Sequence, residues 1–161
     1  MLETNNSANI RNGKKRRILI VDDEPDVTLT LKTVLENNEY AVDAFNDSVM
    51  ALENFKRKAA AAVSNDDLDI VDHLKKGEGK YYYYDLVLSD FKMPDINGFE
   101  LYQKIKEIDK NIKVRFLTAS EINYDEFRRK VAPTIDDSQN CFIAKPIENQ
   151  KLLSIVNQLM R

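Results

Sequence analysis

The sequence predicts an α/β domain in which a doubly wound, five-stranded parallel sheet carries helices on both faces. Three observations carry this expectation. Short apolar runs alternate with segments of helical periodicity along most of the chain. The run Leu86-Val87-Leu88, ended by Ser89 and Asp90, is short and uniformly apolar, as a strand buried on both faces is. Four of the runs end in chemically competent residues: Asp22-Asp23, Asp90, Thr118 and Lys145. Parallel strands put all of these ends on one edge of the sheet, the edge where open α/β sheets hold ligands.

Taken in order, residues 1–15 are rich in Asn, Ser, Thr and Lys without periodicity and read as a disordered tail. The basic run Lys14 to Arg17 reads as a solvated lead-in to the first strand, Ile18–Val21. Pro25 suits the first turn of a helix, and Val27, Leu31, Val34 and Leu35 mark its apolar face up to Asn37-Asn38. Tyr40–Phe45 is the second strand, with Val42 and Ala44 inward. Asn46 or Asp47 caps a helix from about Ser48, with Met50, Ala51, Leu52 and Phe55 as its stripe and Ala59–Ala62 as its continuation. Leu68, Val71 and Leu74 predict an extra helix over 66–76, with Gly77 as its C-cap, before a turn and the tyrosines at 81–84. Leu86–Asp90 is the third strand, and Pro94 and Asn97-Gly98 break the chain before a helix striped by Phe99, Tyr102, Ile105 and Ile108. Lys113–Leu117 is the fourth strand, 123–131 a weak helix, Thr134–Asn140 a loop and Cys141–Ala144 the fifth strand. Leu152, Leu153, Ile155, Val156 and Leu159 mark the closing helix. The expected organisation is one domain over 16–161 with an insertion at about 57–80.

Composition excludes several classes. A net charge of −3 and a pI near 5.3 argue against a dedicated nucleic-acid binder. No apolar run approaches the length of a membrane span, and the polar N-terminus lacks a secretory core. The single cysteine, Cys141, allows no intramolecular disulfide, so a reducing, cytoplasmic setting is expected and Cys141 reads as a small core residue.

The strand ends carry the chemistry. Asp22, Asp23 and Asp90 in one pocket repel, by roughly 4 kcal/mol per pair at about 4 Å and an effective dielectric near 20. A hard divalent cation offsets that repulsion, and Mg²⁺ is bound by one or two carboxylates, waters and phosphate oxygens. The cluster has no Cys, and the only histidine, His73, lies in the insertion and reads as a solvated helix residue, which argues against zinc. Lys145 supplies a positive charge and Thr118 a hydroxyl, so a phosphoryl group suits the site, and a carboxylate can be the nucleophile that accepts it. Each residue also has a structural reading: Asp22 and Asp23 as caps of the helix at Pro25, Asp90 as a turn cap, Thr118 as a strand-end cap, and Lys145 as a salt-bridge partner of Asp90.

Ile18–Asp23, Leu86–Gly98, Val114–Ala119 and Phe142–Pro146 together resemble the receiver domains of two-component response regulators, over residues 17–161 outside the insertion. The resemblance implies a flavodoxin-like strand order, 2-1-3-4-5. It implies Asp90 as phosphoacceptor, Asp23 as direct Mg²⁺ ligand, and Asp22 as a second acid acting largely through metal-bound water. It implies that the Lys92 backbone carbonyl completes the metal site and that Thr118 and Lys145 contact the phosphoryl group. It casts Phe142 as a switch aromatic moving with Thr118, Ala119 as the small residue that keeps the acceptor accessible, and Lys145-Pro146 as a cis bond. The donor it implies is the phosphohistidine of a sensor histidine kinase or phosphotransfer protein, and the output an unspecified downstream protein. Such a domain catalyses only its own phosphorylation and dephosphorylation.

Two features depart from the pattern. The stretch 57–80 is long, and Thr134–Asn140 lengthens the approach to the last strand, near the signalling face of many relatives. With no output domain after the last helix, the expectation is a single-domain or truncated regulator. Two other functions compete. A phosphohydrolase using an aspartyl phosphate resembles a pattern with a second Asp two residues after the nucleophile, where this chain has Lys92. A phosphorylation-independent adaptor would dock through the 57–80 insertion and the tyrosines at 81–84.

Overall fold

The computed structural model describes residues 9–11, 13–64, 83–119 and 141–161. Their order is β1 (Ile10–Arg11), β2 (Lys14–Lys15), β3 (Arg17–Val21), α1 (Pro25–Glu36), β4 (Ala41–Phe45), α2 (Ser48–Ser64), β5 (Leu86–Asp90), α3 (Gly98–Ile108), β6 (Lys113–Thr118), β7 (Phe142–Ala144) and α4 (Asn149–Leu159). Five strands form one sheet in the order β4-β3-β5-β6-β7, and every neighbouring pair is parallel. Counting only these strands along the chain, that is the predicted 2-1-3-4-5.

The two faces of the sheet bury separate apolar sets because successive side chains of a strand alternate. Leu19, Val21, Val87, Val114 and Phe116 pack under α2 and α3 with Ala51, Leu52, Phe55, Leu101 and Ile105. Ile18, Ile20, Leu86, Leu88 and Leu117 pack under α1 and α4 with Leu31, Leu35, Leu152 and Val156. All five residues of β5 are buried, as expected of a central strand covered on both sides.

Local signals account for the helix starts. Pro25 opens α1, where its missing N–H costs nothing. Asp47 Oδ1 accepts from Met50 N at 2.8 Å, capping α2, which runs through the alanines as predicted. Asn97 and Glu100 form a reciprocal capping box on α3. Met50 departs from the expected stripe. It is exposed, and Ala51, Leu52 and Phe55 supply the buried face.

The N-terminal segment is a correction. Where the sequence predicts a tail through residue 15, β1 and β2 pair as a short antiparallel hairpin, with Gly13 at φ 76°. Asn9 anchors it: its side chain donates to Asn38 O and its carbonyl accepts from Arg16 N, both at 2.8 Å. The predicted helices at 66–76 and 123–131, Gly77, His73, Tyr81, Tyr82 and the loop 134–140 lie outside the described residues.

Tyr83 and Tyr84 are described and belong to the packing. Tyr84 is buried, stacks on Phe55 at 5.6 Å between ring centroids, and donates to Asp43 Oδ2 at 2.6 Å. Burial, followed by the Asp43 carboxylate, raises its pKa, so it stays a neutral donor.

Candidate functional site

Strand register assembles the site. Val21 lies level with Ser89, Asp90 with Leu117, and Thr118 with Ala144. Asp22 therefore falls level with Asp90 at the carboxyl edge, with Thr118 one residue and Lys145 two residues further along their strands. Asp22, Asp90 and Thr118 are buried.

Lys145 binds the acids together. Its ammonium lies 2.8 Å from Asp22 Oδ2, 3.1 Å from Glu24 Oε1 and 3.5 Å from Asp90 Oδ2. Its backbone N donates to Thr118 O at 2.7 Å, which ties the tip of β7 to the tip of β6. The Lys145-Pro146 peptide is cis, as the resemblance implies. Asp22 is held from both sides, since its Oδ1 accepts from Glu24 N at 2.9 Å.

The loop after Asp90 is equally tight. Phe91 N donates to Leu117 O and Gly98 N to Phe91 O, each at 2.9 Å. A Cβ on Gly98 would fall against the Asp90 carbonyl oxygen and 2.8 Å from Phe91 Cα. Only glycine lets α3 begin this close to the strand tip.

The charges shift one another. Burial first, then the neighbouring Asp22 carboxylate, pushes Asp90 up to about 6, with the Asp23 carboxyl adding to the rise. Lys145 and a hydrogen bond from the Lys92 backbone oppose it. Burial disfavours the Lys145 ammonium, but its bonds to Asp22 and Glu24 and the Asp90 charge outweigh that and raise its pKa, so it stays charged.

The donor set fits a hard divalent cation. Carboxylate oxygens of Asp22, Glu24 and Asp90 all lie within 4.8 Å of one another, with no sulfur or imidazole in the group. Glu24 is the member that sequence reasoning missed. Asp23, the expected direct ligand, is exposed beside Asp90 and outside that group. Lys92 is exposed, with its backbone at Asp90. Ala119 is exposed at the end of β6. Phe142 is half-buried, with its ring 5.4 Å from Phe116 and 5.6 Å from Phe91. The register thus brings Asp22, Asp90, Thr118 and Lys145 to one edge of the sheet, and Phe142 packs on Phe91, which follows Asp90 in the chain.

The sheet order and the acid–lysine cluster at its carboxyl edge define a receiver-type α/β domain. The response regulator receiver domain family matches residues 18–157, and the chain belongs to that family, a signalling domain of two-component systems. Among curated relatives, the response regulator ArlR of Staphylococcus saprophyticus is 29% identical over 145 residues, 90% of this chain and 52% of that protein. ArlR of Staphylococcus aureus is 28% identical over the same length. The chain spans about half the length of these relatives. Among solved structures, the Thermotoga maritima response regulator TrrA, in complex with Mg(2+)-BeF, is similar at 27% identity and a TM-score of 0.61, covering 89% of this chain and 98% of that one. The Vibrio cholerae chemotaxis protein CheY4, at 18% identity and a TM-score of 0.63, covers 89% and 98% and shares the fold. Among the described residues, no helix is long and apolar enough to cross a membrane.

Proposed function

We propose that this chain is a phosphorylation-driven switch, cytoplasmic, with residues 16–161 as its working unit and Asp90 as the phosphoacceptor. The observation that carries the reading is the Lys145 ammonium, 3.5 Å from Asp90 and bonded to Asp22, in the same cluster of carboxylate oxygens. An isolated structural salt bridge needs one acid. Several acids around one lysine leave net negative charge that suits a divalent cation, beside which the ammonium can meet a phosphoryl oxygen.

The donor in this reading is a phosphohistidine on a kinase or phosphotransfer protein. An Asp90 carboxylate oxygen forms a bond to phosphorus as the P–N bond breaks, and the imidazole nitrogen leaves with the electron pair and takes up a proton. Asp22, Asp23, Asp90 and the Lys92 carbonyl would hold Mg²⁺, which when bound neutralises phosphoryl oxygens. Lys145 and Thr118 take the remaining oxygens as ammonium and hydroxyl donors. The product adds about 1.5 to 2 negative charges at Asp90. Thr118 and Phe142 then rearrange, with Ala119 leaving the approach open, and the changed surface meets a downstream protein.

The test is intact-mass analysis after incubation with acetyl phosphate and Mg²⁺. One phosphoryl adduct is expected on the unmodified chain and none on Asp90→Asn. An equal adduct on Asp90→Asn, or no adduct on either, would contradict the reading.

A further inference from the structure

Glu24 belongs to the cluster, yet the receiver pattern gives it no task. Its side chain is 61% exposed, and its carboxylate turns to Lys145 at 3.1 Å. Its backbone N donates to Asp22 Oδ1, and Lys145 bonds the other Asp22 oxygen, Oδ2. Asp22, Glu24 and Lys145 thus close a ring, and the ring leaves the ammonium nearer to Asp22 and Glu24 than to Asp90. We propose that Glu24 is a positioning residue that parks the Lys145 ammonium away from Asp90 and competes with the phosphoryl group for it.

An ammonium has three N–H groups and no acceptor. Here two of them serve Asp22 and Glu24 at hydrogen-bond distance. A tetrahedral phosphoryl group on Asp90 would draw the ammonium toward its oxygens and so away from the carboxylates it now bonds. Asp22 is buried and fixed, whereas Glu24 is largely in water and loses least on letting go. Glu24 is therefore the partner that Lys145 exchanges, and its charge sets how much that exchange costs. This rests on the reading of Asp90 as phosphoacceptor.

The probe is beryllofluoride, a phosphoryl mimic, titrated into the metal-saturated protein at saturating Mg²⁺ and followed by calorimetry. Glu24→Gln is expected to tighten beryllofluoride by about two- to fivefold, the worth of an exposed ion pair. Glu24→Asp, which keeps the charge, is expected to fall between Gln and the unmodified chain. In a Lys145→Met background, Glu24→Gln is expected to change nothing. Unaltered affinity in Glu24→Gln, weaker affinity, or a gain that persists without Lys145 would each overturn the proposal, the last two by placing Glu24's action on the metal or elsewhere. Absence of beryllofluoride uptake by the unmodified chain would instead strike the phosphoacceptor reading itself.

Discussion

Replacing Lys145 by methionine is expected to cost about 3 kcal/mol of stability at neutral pH without metal, because it strands buried carboxylates that were paired. Asp22 and Asp90 are buried, and the ammonium lies 2.8 Å from the first and 3.5 Å from the second. Methionine keeps most of the volume of the lysine stem, so the loss reports charge rather than a cavity. The pH dependence gives the sign. Asp90 titrates near 6 when folded, above its ordinary 3.8, so between those values the folded protein binds more protons than the unfolded chain. Stability from this group is present below about pH 4 and is lost as pH rises through 6. Lys145 limits that loss, and without it the Asp90 pKa climbs further. The deficit of Lys145→Met should therefore be small near pH 4 and grow toward pH 8, and millimolar Mg²⁺ should recover part of it by binding the folded state. Denaturant unfolding at several pH values checks this. A deficit that is the same at pH 4 and pH 8 would show that Lys145 stabilises by packing alone.

Phe116→Ala is expected to cost about 4 kcal/mol. Phe116 is fully buried on β6, and its ring meets Phe91, Tyr102 and Phe142 at 5.6, 5.8 and 5.4 Å between centroids. These rings form one aromatic cluster under the acceptor loop. Phe91 follows Asp90 directly, and Phe142 opens the strand that delivers Lys145. Removing the central ring leaves a cavity that its neighbours on the acceptor loop, one strand and one helix cannot close without moving Asp90 or Lys145. The expected result is a lower denaturant midpoint with an unchanged slope. A loss below about 1 kcal/mol would mean that the cluster collapses freely and is not what seats the loop.

The sheet was legible because its signals are local. Leu86–Leu88 admits no half-exposed face, and Val27, Leu31, Val34 and Leu35 repeat at helical spacing beneath Pro25. The strand-end residues were legible as a set because parallel topology alone brings them to one edge. Glu24 was not. Its role depends on a contact with Lys145 across 121 residues of chain, which no periodicity encodes. The hairpin of Ile10–Arg11 and Lys14–Lys15 was missed because two-residue strands are too short to show alternation. Met50 was misplaced because an apolar residue beside the buried stripe looks, in sequence, like part of it.

One chemical trap reads the central assignment most directly. Borohydride converts an aspartyl phosphate to homoserine, so treating the acetyl phosphate product and sequencing its peptides by mass spectrometry marks the residue that carried phosphorus. The arrangement of Asp22, Asp90 and Lys145 predicts homoserine at position 90 alone; homoserine at position 22 or 23, or nowhere in a chain that had gained phosphate, would contradict it.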